Sequence, residues 1–432
     1  MLQCLINITI IQVTPYTDAN GKSIARTEVF TFDFCHSFEI HSSWQSLSDT
    51  AVIEFPKNVY VRSEYNNQVL WGESTTPDKT TGYTNAGGFG SAGVSKAPLF
   101  MRGDEVYINA GYSYISNVNS DGSLQYANTS NTLFHGFISS VESKSNLRIH
   151  CEDYMWLLKQ TTMPCKTYTA PDNDISDVLN DIMVASNKAH DDFLIYYNTG
   201  GFTLSVDNLD TGNETAADVL NKLKKILPSL AFYFRYGELR GGGIVYYPGD
   251  QHSTGTDTNG KPTYQTFNFQ KNIISDELHY SLHADIKVAA NCYSVNSKQG
   301  SSQNKMGGKQ YFTSRVQTTV GVPKDADANA YEYYNFYFKD VTDTDDLTKK
   351  GQTYLNRYQY DGYRGNFTTF GLPFIEHGNI ITITDNLLPE RNGNYMVKGV
   401  NYSYGTNRGL RQNIDLHFRT DNVSEDILEQ GM

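Results

Sequence analysis

Gly103-Asp104-Glu105-Val106-Tyr107-Ile108 returns in altered form as Gly378-Asn379-Ile380-Ile381-Thr382-Ile383. Each copy leads to a long strand pattern with a glycine inside it, Gly136 in the first and Gly399 in the second. A closing strand pattern follows, at 147–151 and again at 413–418. The same order of three strands predicts two similar β-barrels built from one ancestral unit. A single pair is no solenoid, which needs three or more repeats.

Outward from these stretches the chain keeps a period of two. Phe30, Phe32 and Phe34 alternate with Thr31 and Asp33, then Phe38 and Ile40 with Glu39 and His41. Ile6, Ile8 and Ile10 alternate with Asn7 and Thr9, which reads as a strand and not as a signal peptide, since no basic segment precedes it. Val52 to Phe55 form another run, stopped by Pro56, and Asp18-Ala19-Asn20-Gly21 supplies a hairpin turn. With 31 Tyr, 22 Phe and only 19% charged residues in 432, the chain reads as globular and β-rich. No apolar run is long enough for a membrane-spanning helix.

The middle of the chain changes period. Ile175, Val178, Leu179, Ile182 and Met183 recur at helical spacing behind Asp174 as N-cap. Val219, Leu220, Leu223, Ile226 and Leu227 do so behind Thr215, with Asp218 as its capping-box partner, until Pro228. Leu230, Phe232, Phe234 and Tyr236 then return to period two. A third helix begins near Thr344 with Asp345 and Asp346 in its first turn, and Gly362 is expected to close it. The fold class expected is mainly β (α+β): two β-barrel domains with an intervening small α/β module. The first barrel spans 1–155 with a mobile Gly/Ser-rich loop at 72–100, and the module spans 156–278. The second barrel spans 279–420 with an insertion at 296–362, leaving a tail at 421–432.

The net charge of -12 disfavours nucleic-acid binding, which needs a basic stripe to neutralise phosphates. Lys222, Lys224 and Lys225 read as a solvated helix face. Cys4, Cys35, Cys151, Cys165 and Cys292 are odd in number and hold no C-x-x-C pair, so reduced, mostly buried thiols are expected. Gly88-Phe89-Gly90-Ser91-Ala92-Gly93 matches G-x-G-x-x-G in letters, but no strand precedes it and Pro98 follows. Gly21-Lys22-Ser23 lacks the first P-loop glycine, because Tyr16 stands there. His279 and His283 lie in a strand-like segment without the Glu of a zincin helix. Asp340, Asp343, Asp345 and Asp346 lack the Gly and Glu of an EF-hand and read as helix caps. No catalytic, metal or cofactor residue is therefore assigned, no cofactor is expected, and the chain is expected not to be an enzyme.

Three stretches, taken together, resemble a known family. They are Ser48-Asp49-Thr50-Ala51-Val52-Ile53-Glu54-Phe55-Pro56; Phe134-His135-Gly136-Phe137-Ile138 with the run from Leu147 to Leu158; and 378–383 with the run from Asn392 to Val400. They are similar to the central baseplate hub proteins of phage tails, the late control D family, related to the hub part of type VI secretion spikes. The resemblance runs loosely from residue 3 to 419.

It implies a homotrimer with two tail-tube-like β-barrels per chain, so that six barrels form a pseudo-sixfold ring. The ring would join a hexameric tail tube to a trimeric spike and let DNA or cargo pass, and an acidic lumen would suit that passage. The partners implied are other copies of the chain, tube protein, spike protein and other baseplate proteins, without sequence-specific nucleic-acid binding or membrane insertion. Synthesis in the bacterial cytoplasm and assembly into the virion baseplate are implied as well. Subunit contacts are expected on strands carrying Phe30, Phe32, Phe34, Phe38, Tyr395, Val397, Tyr402 and Tyr404. The alternatives are another tail component, such as a distal tail or tube-end protein, and a β-rich carbohydrate-binding protein or glycosidase.

Overall fold

Alternating side chains make strands that bury one face, and the first third of the chain does this seven times. The strands are β1 (Leu2–Ile11), β2 (Val29–Phe32), β3 (Ser37–Ser43), β4 (Thr50–Pro56), β5 (Glu105–Val118), β6 (Leu124–Ser143) and β7 (Asn146–Glu152). Phe30, Phe32, Phe38, Ile40, Ile53 and Phe55 point inward as their spacing predicts. The computed structural model describes residues 2–17, 21, 23–56, 60–62, 69–71, 99–118, 124–143, 145–169, 174–199, 206, 209–226, 230–235, 237–242, 253–256, 258, 260, 262–283, 286–295, 314–339, 341, 343–356 and 358–421. The 18–20 part of the expected hairpin turn, 72–98 of the Gly/Ser-rich loop, Leu227, Pro228, Tyr236 and the tail beyond 421 lie outside them. Tyr16-Thr17 and Ser23-Ile24, on either side of that turn, do pair as an antiparallel hairpin.

The module follows as α1 (Met155–Gln160), α2 (Ile175–Ala189), β8 (Tyr196–Asn198), α3 (Ala216–Ile226), β9 (Ala231–Arg235) and β10 (Glu238–Gly242). Both expected caps are present. Asp174 accepts from the Ser176 N–H at 2.9 Å while Asp177 accepts from the Asp174 N–H at 2.9 Å. The Asp218 N–H donates to the Thr215 hydroxyl at 3.2 Å. Apolar stripes of the helices meet in one core with Val178, Leu179, Ile182, Leu220, Leu223 and Phe232. β9 is buried on both faces: Phe232 and Phe234 enter the module core, whereas Ala231 and Tyr233 enter the main core. That placement brings Arg235, at the strand's end, to the meeting point of the two.

The main elements that follow are β11 (Gln265–Asn268), β12 (Ile273–Asp276), β13 (Val288–Val295), β14 (Ser314–Val320), β15 (Glu332–Lys339), α4 (Thr344–Leu355), β16 (Asn366–Phe370), β17 (Ile380–Thr384), β18 (Gly393–Gly405) and β19 (Gly409–Arg419). β11 and β12, which precede residue 279, join β16–β19 in the same sheet. The insertion is a small unit of its own, β13–β15 under α4, with Val288, Cys292, Phe336, Leu347 and Leu355 as its core. Gly351 lets α4 lie close to it: a Cβ there would stand 2.3 Å from Cys292 Sγ. The helix ends at Leu355, capped by Asn356, and Gly362 opens a short strand instead of closing the helix.

The chain is mainly β, as expected, but the two units share one 13-stranded sheet. Its path runs β12-β16-β19-β18-β3-β4-β7-β6-β5-β1-β2, with β17 and then β11 branching from β18. β2 and β3, neighbours in the chain, do not pair; β3 instead pairs with β18 from Ser37↔Gly405 to Ser43↔Gly399. One core serves both units, with Ile8, Phe38, Ile149, Phe267, Ile381, Val400 and Ile414 in contact clusters that run through it.

Candidate assembly interface

The two stretches that echo each other in sequence form the same turn. Gly103 has φ 92° and Gly378 φ 83°, a region open to glycine at little cost. The Gly103 N–H donates to the Ile138 carbonyl, and the Ile138 N–H returns a bond to the Asp104 carbonyl, both at 2.8 Å. In the second copy the Gly378 N–H donates to the Val397 carbonyl at 2.8 Å, and the Val397 N–H to the Asn379 carbonyl at 2.9 Å. Side chains close each turn alike: Asp104 accepts from the Met101 N–H and Asn379 from the Glu376 N–H, each at 2.8 Å. A register shift follows Ile138 in β6, and register shifts stand on both sides of Val397 in β18. Ile138 therefore corresponds to Val397. The expected match of Gly136 with Gly399 is off, since each lies two residues from these positions but on opposite sides.

In the first copy the turn is sealed inside its own unit. Arg26 donates to both Asp104 oxygens at 2.8 and 2.7 Å, and both side chains are buried. Asp104 also accepts from the Val13 N–H at 3.2 Å, and Arg26 donates to the Leu99 and Thr14 carbonyls at 2.9 Å. Burial raises the Asp104 carboxyl above its ordinary range, while the Arg26 guanidinium pulls it back down.

In the second copy the turn faces a joint. A cavity of about 70 Å³ lies where the first unit, the module and the second unit meet, lined among others by Ser42, Asp49, Asp153, Arg235, Glu376 and His377. Asp49 accepts from the Ser42 hydroxyl at 2.6 Å and the Ser43 N–H at 3.1 Å, pinning the end of β3 that pairs with β18. The Asp49 N–H donates to Asp153 at 3.1 Å, and Asp153 also accepts from the Ser48 hydroxyl at 2.9 Å and the Met155 N–H at 3.0 Å. Arg235 donates to the His377 carbonyl at 2.7 Å and to Glu376 at 3.4 Å. His377 Nε2 stands 4.0 Å from Asp49 Oδ2, and among the described residues Nδ1 finds no hydrogen-bond partner. Burial pushes Asp153 up to about 8, helped by the Asp49 charge, and pushes Asp49 up to about 6 against its hydrogen bonds. Burial, then the Arg235 charge, holds the His377 imidazole down to about 3.

Sequence reading missed this cluster and the Arg26–Asp104 pair. A signal existed: Asp49 and Asp153 lie within the stretches that carry the family resemblance, next to apolar strands, and His377 precedes the second echo.

The eight expected interface residues are mostly spent within the chain. Phe30, Phe32, Phe38, Tyr395, Val397 and Tyr402 are buried in the chain's own core, and β18 is paired on both sides, with β3 and β17 on one and β19 on the other. Tyr404 is half-buried and stacks on Phe38 at 5.6 Å. Two of the expected strands, β3 and β18, pair with each other. Phe34, 47% exposed, remains outward. It flanks β2 with Val29, 59% exposed, at one end of the sheet path. At the other end β12 and its neighbour β16 carry Ile274 at 45% and Phe370 at 38%. Among the described residues both end strands have a sheet partner on one side only.

No family model matches the chain, and no curated protein does. Among solved structures, the tail protein from Neisseria meningitidis MC58 is similar over 99% of this chain and 98% of its own, at 12% identity and a TM-score of 0.49. The 43 kDa tail protein of prophage MuSo2 from Shewanella oneidensis is similar over 96% of this chain and 98% of its own, at 10% identity and a TM-score of 0.46. A component of the type VI secretion system of E. coli is similar over 98% of this chain and 78% of its own, at 9% identity and a TM-score of 0.45. Each likeness runs the length of the chain but overlaps its backbone only in part.

Proposed function

We propose that this chain is a structural hub of a phage tail baseplate or related injection machine, working by its interfaces and without turnover. The duplicated turn carries the reading: one chain holds two β units with the same glycine, the same paired backbone bonds and the same register shift. Three such chains around an axis would present six similar units, matching a hexameric tail tube on one side and a trimeric spike on the other. A body of that kind reconciles two symmetries without any change of sequence, because near-equivalence is built into each copy.

In this reading the two ends of the sheet path meet between neighbouring copies, β2 with Val29 and Phe34 against β12 with Ile274 and Phe370. A head-to-tail contact closes a ring when its rotation closes. The channel so formed would pass DNA or cargo, and the net charge of -12 keeps a polyanion from adhering. Assembly into the virion tail and contacts with tube, spike and other baseplate proteins belong to the same proposal.

Light scattering over a concentration series tests it. A species of three times 48.6 kDa is expected, falling to monomer when Phe34→Asp or Ile274→Asp is introduced with the fold retained. A stable hexamer would point to a tube-end component instead. A monomer at every concentration, also with spike and tube proteins added, would refute the ring.

A further inference from the structure

The insertion packs one face of its small sheet and leaves the other largely open. Val288, Ala290 and Cys292 on β13, Val320 on β14, and Phe336 and Phe338 on β15 meet α4 in the core. The alternate residues make the opposite face, and strand register sets them in rows. Asn335, Asn291 and Thr319 stand side by side across the three strands, and Tyr337, Tyr293 and Gln317 form the next row. Tyr333, 38% exposed, flanks the first row beside Ala289. Tyr337 leans on the module core, while Gln317, Thr319, Tyr333 and Asn335 remain exposed. We propose that this face binds a neutral glycan, an extended chain of uncharged sugars lying across the strands. The inference is independent of the hub reading.

Across these rows no side chain is charged, and none is aliphatic beyond the Ala289 methyl. The outer face of the shared sheet differs: Glu39, Glu54, Arg148 and Glu152 stand there on β3, β4 and β7. A face that has only to stay soluble carries charges of that kind. Nucleic acid would need cations to neutralise its phosphates, and a docked protein would need an apolar centre. The insertion offers instead tyrosine rings beside neutral donors and acceptors. That is the complement of a sugar chain, whose rings present C–H faces and whose rims present hydroxyls.

The polar groups form a relay with open ends. The Thr319 hydroxyl donates to the Asn291 side-chain carbonyl at 3.0 Å, and the Asn291 amide donates to the Asn335 side-chain carbonyl at 3.5 Å. The Asn335 N–H groups are left as donors and the Thr319 oxygen as an acceptor, with the Gln317 amide adding both kinds. Tyr293 and Tyr337 stack at 5.2 Å with 21° between their planes, so the second row is ordered before any ligand arrives. Neighbouring strands lie ~4.8 Å apart, close to the repeat of an extended pyranose chain, so successive sugars meet successive strands. The exposed Tyr333 ring supplies a stacking surface at the end of the first row.

Arrays of neutral and acidic oligosaccharides, probed with the intact chain, test the site. Binding to neutral glycans is expected, and it should be the same at low and high salt because no ion pair forms. Tyr333→Ala and Asn335→Ala, both at exposed positions outside the core, should each weaken binding at least about tenfold with the fold retained. Hydrogen exchange of the wild type is a second reading that needs no variant: the bound glycan should protect residues 317–319 and 333–337. No binding to any neutral glycan, binding to acidic ones alone, or binding that both variants leave intact overturns the proposal. Protection of the same residues by added tube or spike protein, and by no glycan, would assign the face to a protein partner and overturn it as well.

Discussion

The turn before β5 and the turn before β17 share a backbone and differ in what their side chains are for. In the first, Asp104 closes the turn and also neutralises Arg26, with both groups buried and each bonded several times over. In the second, the neutral Asn379 closes the turn, and its neighbours Glu376 and His377 face the joint. A buried ion pair is costly to break and adds little by merely existing. The first copy is therefore committed to its own unit, while the second holds groups that respond to their surroundings. One turn geometry thus serves a structural task in the first unit and a connecting one in the second.

The largest test of that contrast is to remove the closing side chain from each turn. Asp104→Ala leaves Arg26 buried without its counter-charge and is expected to cost ~3–5 kcal/mol in urea unfolding. Asn379→Ala forfeits a neutral turn bond and should cost about 1 kcal/mol. Equal losses would break the comparison.

A smaller separation is expected between the two glycines. Gly103→Ala and Gly378→Ala each force a side chain into a left-handed conformation, at about 1–2 kcal/mol. Gly103→Ala should be the worse of the two, because its Cβ would meet Thr14 Oγ1 at 2.5 Å and the Trp156 ring at 3.2 Å. Thermal or urea midpoints of the pair decide it.

Burial raises Asp104 in the sealed turn and Asp49 and Asp153 at the joint, so both sites predict stability gained as pH falls. Stability in urea should rise as pH falls from about 8 to 4, by at most about 1.4 kcal/mol per pH unit for each proton taken up. His377→Phe should keep more of that gain below about pH 6, where the wild-type imidazole opposes it. The smallest effects belong to caps remote from both turns: Asp174→Ala or Thr215→Ala should cost about 1 kcal/mol and leave oligomer mass unchanged.

Strands and helices were legible because periodicity is local. The Phe30–Phe32 and Phe38–Ile40 alternations, the Asp174 and Thr215 caps and the repeated Gly103 and Gly378 turns all rest on residues a few places apart. Pairing between distant strands was not legible. Nothing in 37–43 or 399–405 announces that they are partners, and so the place of Phe38 and Tyr402 in one shared core was not legible. Burial of Arg26 beside Asp104, and of Asp49 beside Asp153, depends on the same long-range pairing. An acid written among apolar residues looks alike whether it faces water or another strand.

End-on images of the purified assembly by electron cryomicroscopy test the central claim most directly. The account predicts a ring of six similar lobes that superpose fully only every third of a turn, with the two kinds of lobe alternating. Six identical lobes, or particles with no ring in the presence of tube and spike proteins, would contradict it.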